Sequence, residues 1–147
     1  MSANRVDRID VQHSGNEALR TFLEERLYAF NVEATGIADG ELLWASVTDA
    51  GGAVVAGIFG HTWGGCCEIT QMWVDESRRG QGLGAALLAA AEQEAVRRDC
   101  TQIVLTTHTF QAPDFYEKLG FERLGAVPDF PRGYENVLYI KRLGGPD

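Results

Sequence analysis

Apolar positions change period along this chain, and the period predicts the elements. Residues 5–11 alternate, with Val6, Ile9 and Val11 apolar, which predicts a short first strand. Ser14-Gly15-Asn16-Glu17 has the S-x-x-E form of a capping box. Leu19, Phe22, Leu23, Leu27 and Phe30 follow at helical spacing, so a helix is expected to run to about Tyr28–Phe30. Asn31 to Gly40 reads as irregular, with turn signals at Thr35-Gly36 and Asp39-Gly40. Three apolar runs come next: Glu41–Thr48, Ala53–Trp63 and Cys66–Val74. The turns between them, Asp49-Ala50-Gly51-Gly52 and Gly64-Gly65, are rich in glycine, which predicts an antiparallel meander.

The helical period then returns. Leu83, Leu87, Leu88, Ala91 and Ala95 predict a helix from near Gly82 to Arg98. Ile103-Val104-Leu105 fits a buried strand, and strand, helix, strand in this order makes a βαβ unit with parallel strands. Pro113 suits the first turn of another helix, and Gly120 suits its end. Phe121–Val127 and Asn136–Arg142 predict two last strands, joined by the rigid loop Pro128-Asp129-Phe130-Pro131-Arg132-Gly133. The tail from Gly144 is expected to fray. No repeat, linker or low-complexity segment interrupts this pattern. The expectation is therefore one α+β domain over residues 1–147, with an ordered core of about 5–142.

Composition narrows the function. The chain has 147 residues, 45% hydrophobic and 23% charged, which suits a folded soluble domain. It has no apolar run of membrane-spanning length and no secretory h-region, so a cytoplasmic location without a membrane partner is expected. The net charge of −8 argues against a nucleic-acid partner and mildly favours a cationic one. Cys66, Cys67 and Cys100 lack the spacing of a disulfide framework or a zinc site and read as buried thiols. His13, His61 and His108 form no metal-ligand pattern, so no metal is expected.

The chemistry concentrates at Arg79-Gly80-Gln81-Gly82-Leu83-Gly84, between a strand and a long helix. Glycines there let the backbone approach a ligand closely. The first N–H groups of a helix have no partner inside it, and the helix dipole adds partial positive charge, so this is an anion site suited to a pyrophosphate. A P-loop would need Gly-Lys-Ser/Thr, whereas Gly84 precedes Ala85-Ala86. A dinucleotide fingerprint needs G-x-G-x-x-G in a first βα unit, whereas the spacing here is G-x-G-x-G after antiparallel hairpins. A glycine-rich turn without a ligand also remains open on these residues alone.

Val74 to Gly84 resembles the acyl-CoA motif of the GCN5-related N-acetyltransferase (GNAT) superfamily, Gln/Arg-x-x-Gly-x-Gly/Ala, which Arg79, Gly82 and Gly84 match. Ala112-Pro113-Asp114-Phe115-Tyr116-Glu117-Lys118-Leu119-Gly120-Phe121-Glu122 resembles the second motif of that family, tyrosine included. The resemblance covers about residues 40–142. It implies a mixed, mostly antiparallel sheet of 6–7 strands, helices on both faces, and a splayed strand pair at the CoA site. It also implies acetyl-CoA as cofactor. Met72, Trp73 and Val74 would hold the pantetheine arm, and Arg79, Gly80, Gln81, Gly82, Leu83 and Gly84 the pyrophosphate, with Arg78 and Gln81 at the rim. Where the family often has Asn, this chain has Thr109, which offers fewer contacts to the middle of CoA.

Acyl transfer to an amine needs a base, an oxyanion donor and an acid for the thiolate. The resemblance makes Tyr116 the acid and Glu68, six residues before Val74, the base. Glu33, His61 and His108 are alternative bases, and the Val74 N–H is the expected oxyanion donor. The acceptor pocket is expected from Asn31–Gly40, His61–Gly65 and Asp129–Tyr134, with Glu33, Trp63 and Phe130 as binding residues. The expected reaction moves acetyl to a primary amine of a small molecule, such as an antibiotic, polyamine or amino acid. The alternatives are a protein lysine or N-terminus, and a CoA-binding module without catalysis. Exposed strand edges are compatible with a homodimer.

Overall fold

The computed structural model describes residues 7–144, which fall into two compact units, one ending at Gly36 and one beginning at Ile37. Part of the predicted first strand (including Val6) and Gly145–Asp147 lie outside the described residues. Residues 7–13 carry no strand, which corrects the expectation for the described part of 5–11. Too few alternating apolar positions stand there to define a face.

The first unit holds helix α1, Glu17–Thr35. Its N-cap is Asn16, not Ser14: the Asn16 side-chain oxygen accepts the Leu19 N–H at 3.0 Å. Asn caps as well as Ser, and Glu17 then falls in the first turn, where a carboxylate complements the helix dipole. The helix passes the expected end and takes in Asn31–Thr35. Gly36 stops it with φ 74°, and its N–H donates to the Val32 carbonyl. Thr35-Gly36 is thus a helix C-cap rather than a free turn.

The second unit is a six-stranded sheet with strands β1 (Glu41–Thr48), β2 (Val54–Trp63), β3 (Cys66–Val74), β4 (Gln102–His108), β5 (Glu122–Pro128) and β6 (Glu135–Arg142). Their order in space is β1-β2-β3-β4-β6-β5, and every neighbouring pair is antiparallel except β3 and β4. The meander and the parallel βαβ unit are as the sequence predicts. Helix α2 spans Leu83–Arg97 and α3 spans Pro113–Lys118. Both lie against one face. Leu88 and Ala91 of α2 share a core with Ile58, Ile69, Ile103 and Leu105, and the Tyr116 ring of α3 meets Tyr139 of β6 at 6.3 Å. The other face shows Trp44 (65% exposed), Phe59 and Trp73, and no helix of this unit covers it.

Two features of this sheet shape the site. First, β3 and β4 pair only from Cys66↔Gln102 to Ile69↔Leu105. Beyond that, Gln71–Val74 pair with β2 alone, and Thr106–His108 pair with β6 alone. The two strands have parted. Second, the parting begins at a bulge. Phe59 faces Gln71 and Gly60 faces Ile69, so Thr70 is the extra residue. Its hydroxyl donates to the Phe59 carbonyl at 3.1 Å. Gly60 permits this crossing, because a Cβ there would collide with the Glu68 carbonyl oxygen.

Candidate active site

The parted strands open a cleft of about 1260 Å³. Met72, Trp73 and Val74 line one wall, and Thr106, Thr107 and His108 the other. Gly80, Gly82, Leu83 and Gly84 form one end, and Tyr116 of α3 lies on its wall. The structure therefore gathers the strand before the loop, the loop itself and the tyrosine around one cavity.

The loop is built to take an anion. A short 3₁₀ turn, Glu76–Arg78, leads into it and is capped by Asp75, whose carboxylate accepts both the Ser77 N–H and hydroxyl. Those two hydrogen bonds hold the Asp75 carboxyl below its ordinary value. Gly82 is the N-cap of α2 with φ 80°, a conformation that side-chain-bearing residues resist. It offers no side-chain cap, so the first N–H groups of α2 are left for a ligand. A Cβ on Gly80 or Gly82 would meet nothing within 4 Å, so open space lies before both. Gly84 is tight for another reason: its Cβ would sit 3.1 Å from the Phe115 ring, so α2 and α3 pack through it.

The arginines divide their work. The Arg79 Nε donates to the Val74 carbonyl at 3.0 Å and so braces the loop against β3. Arg78 lines the cleft. Gln81 is not among the cleft-lining residues.

Tyr116 is 8% exposed, with edge-on contacts to Phe115 at 5.2 Å and Phe121 at 5.7 Å. Burial pushes its phenol pKa up, so the hydroxyl carries its proton throughout the neutral range.

The other predicted residues scatter. Glu68 does not line the cleft; it is half exposed on the uncovered face, with Oε2 3.7 Å from His61 Nε2. Thr109 turns toward β6, where its hydroxyl accepts the Glu135 N–H at 3.1 Å and its N–H donates to the Glu135 carbonyl. Trp63 donates its ring N–H to the Ile37 carbonyl at 2.9 Å and lines a separate pocket of about 260 Å³ with Arg98 and Asp99. Glu33 belongs to α1, in the first unit. Phe130 stacks on His108 at 5.4 Å.

Sequence reasoning missed Phe110 and Gln111, both at the cleft. The Gln111 side-chain oxygen accepts the His108 N–H at 2.8 Å and closes the end of β4. Their place just before the Pro113 helix was the available signal.

The model of the acetyltransferase (GNAT) family matches residues 7–121. The chain belongs to this family. It is 32% identical over 121 residues to the acetyltransferase Atu2258 of Agrobacterium fabrum, covering 82% of this chain and 88% of that protein. It is 36% identical over 93 residues to the blasticidin-S acetyltransferase of Streptomyces morookaense, covering 63% of this chain and 68% of that protein. An acetyltransferase structure from Bacillus cereus superposes with a TM-score of 0.75 at 28% identity, covering 91% of this chain and 98% of that one. The chain is thus a GNAT N-acetyltransferase, and its acyl donor is acetyl-CoA. The residues present suit that donor: a glycine loop before a helix N-terminus for the pyrophosphate, and parted strands for the arm. Among the described residues no helix is long and apolar enough to cross a membrane, and no side-chain cluster could hold a metal ion.

Proposed function

We propose that this enzyme moves the acetyl group of acetyl-CoA to a primary amine of a small molecule, with the cleft between β3 and β4 as the donor site. The observation that carries this reading is the parting of the strands at Thr70, which joins the glycine loop and Tyr116 into one cavity. Val74 and its neighbours offer backbone groups to the donor's arm, and the α2 N-terminus takes the pyrophosphate. The Val74 N–H is the donor to the developing oxyanion. Tyr116 gives its proton to the departing sulfur. The sequence's choice of base, Glu68, would act only through water, since its carboxylate is not among the cleft-lining groups.

The small-molecule acceptor is supported by the relative named for blasticidin S, an antibiotic. The exposed rings of Phe110, Phe130 and Tyr134 beside the cleft favour an amphipathic amine, and the chain's charge of −8 favours a cationic one. A cytoplasmic location suits a donor drawn from the cell's acetyl-CoA. Thiol release from acetyl-CoA is the test, run with a panel of antibiotic amines, polyamines and amino acids beside a lysine-rich protein. We expect release with at least one small amine. Release with the protein alone would move the assignment to protein acetylation.

A further inference from the structure

The acceptor amine arrives mostly as an ammonium at neutral pH, because an ordinary alkylamine holds its proton to about pH 10. A base must therefore face the cleft. Glu68 does not line it, and its carboxylate lies near His61 instead. His108 does line it, at the end of β4, on the same cavity as Tyr116.

The surroundings of His108 fix which nitrogen is basic. Its Nδ1 lies 2.8 Å from the Phe130 carbonyl oxygen. A carbonyl oxygen can only accept, so Nδ1 carries the proton of the neutral ring, and the lone pair is on Nε2. The ring is also held in place. It stacks on Phe110 at 5.3 Å and 3° and on Phe130 at 5.4 Å and 11°, and its backbone N–H is tied to Gln111. An imidazole fixed in one tautomer and lining the same cavity as the proton donor of the reaction suits a general base.

We propose that His108 is the general base of this enzyme: Nε2 takes a proton from the acceptor's ammonium. The inference rests on the transferase reading. The freed nitrogen lone pair closes the C–N bond to the acetyl carbon as the C–S bond breaks. Tyr116 gives its hydroxyl proton to the departing sulfur and recovers one from the new amide nitrogen. His108 returns its proton to water. The ammonium thus loses two protons, one to solvent and one, through Tyr116, to the free thiol. The 129–134 loop that packs on His108 carries Asp129, Arg132 and Tyr134, β6 carries Glu135, Tyr139, Lys141 and Arg142, and α3 carries Asp114, Tyr116, Glu117 and Lys118. Asp129 is occupied by the Gly133 N–H at 3.2 Å, and Glu135 by Arg123 at 3.6 Å.

Two measurements test this. The first reads wild-type protein without any donor: nitrogen-15 NMR of the histidine rings above the imidazole range should show His108 protonated on Nδ1 and bare on Nε2. A proton on Nε2 overturns the proposal. The second compares wild type and His108→Gln. The variant should lose about 100-fold in kcat/KM for the acceptor and lose the acidic limb of the pH–rate profile. A limb that survives His108→Gln but disappears in Glu68→Gln assigns the base to Glu68 and overturns the proposal. A wild-type protein that binds no acetyl-CoA contradicts the transferase reading itself; one that binds it and turns over with no histidine limb contradicts only this inference.

Discussion

Tyr116 has a packing role in the structure beside the chemical one proposed for it, and the two can be separated. Its ring fills a pocket between Phe115, Phe121 and Tyr139, so Phe in its place keeps the packing and removes only the hydroxyl. Tyr116→Phe is therefore expected to fold normally and to lower kcat by about 100-fold, with the KM for acetyl-CoA little changed. Steady-state rates check it, and a kcat near wild type would remove the acid role. The cysteines give a second contrast. Cys67 and Cys100 are buried, and burial pushes both thiols up, Cys67 to about 12, whereas Cys66 is half-buried. Only the thiolate reacts. One thiol, Cys66, is thus expected to react with a maleimide in native protein at neutral pH, and all three in denaturant, as counted by mass spectrometry. The sign for stability follows from the raised value. The folded state holds the Cys67 proton more tightly than the unfolded chain, so this contribution is present below the ordinary 9.0 and is lost as the pH rises toward about 12. Unfolding midpoints should fall over that alkaline window.

At the scale of elements, what could be read in the sequence followed from period and punctuation. The meander, α2 and the α3 helix opened by Pro113 are legible because each writes one face in apolar residues and closes on glycine or proline. The glycine loop stood out by local chemistry and spacing, and Tyr116 by the resemblance of its surroundings to the second family motif; both line the one cleft. The bulge at Thr70 was not. It depends on Gly60, on another strand, meeting the Glu68 backbone, and a glycine in a strand does not say what approaches it. The orientation of Thr109 was hidden too, because β6 sets it through Glu135. The extension of α1 to Thr35 was misread because Thr-Gly marks both a turn and a helix end. The bulge yields a prediction at this scale. Gly60→Ala forces β2 and β3 apart where the cleft begins, at a cost of about 3 kcal/mol. Its Tm should drop by well over that of Gly57→Ala, whose Cβ meets the Ala45 carbonyl at an ordinary 3.5 Å. Equal effects in thermal melts would mean that the crossing has slack.

For the whole molecule, the central point is that an acidic chain of net charge −8 takes an anionic donor. On the proposed reading, local backbone dipoles carry that binding, namely the N–H groups at the start of α2 and the edge of β3 beyond Thr70. Amide hydrogen exchange with and without acetyl-CoA reads those groups directly. Without donor, the N–H groups of Leu83, Gly84 and Ala85 should exchange fast, since the helix offers them no acceptor. With acetyl-CoA they should slow, together with amides of Thr70–Val74, while α1 and β5 stay unchanged. Protection confined to other segments, or none at saturating acetyl-CoA, would contradict the account.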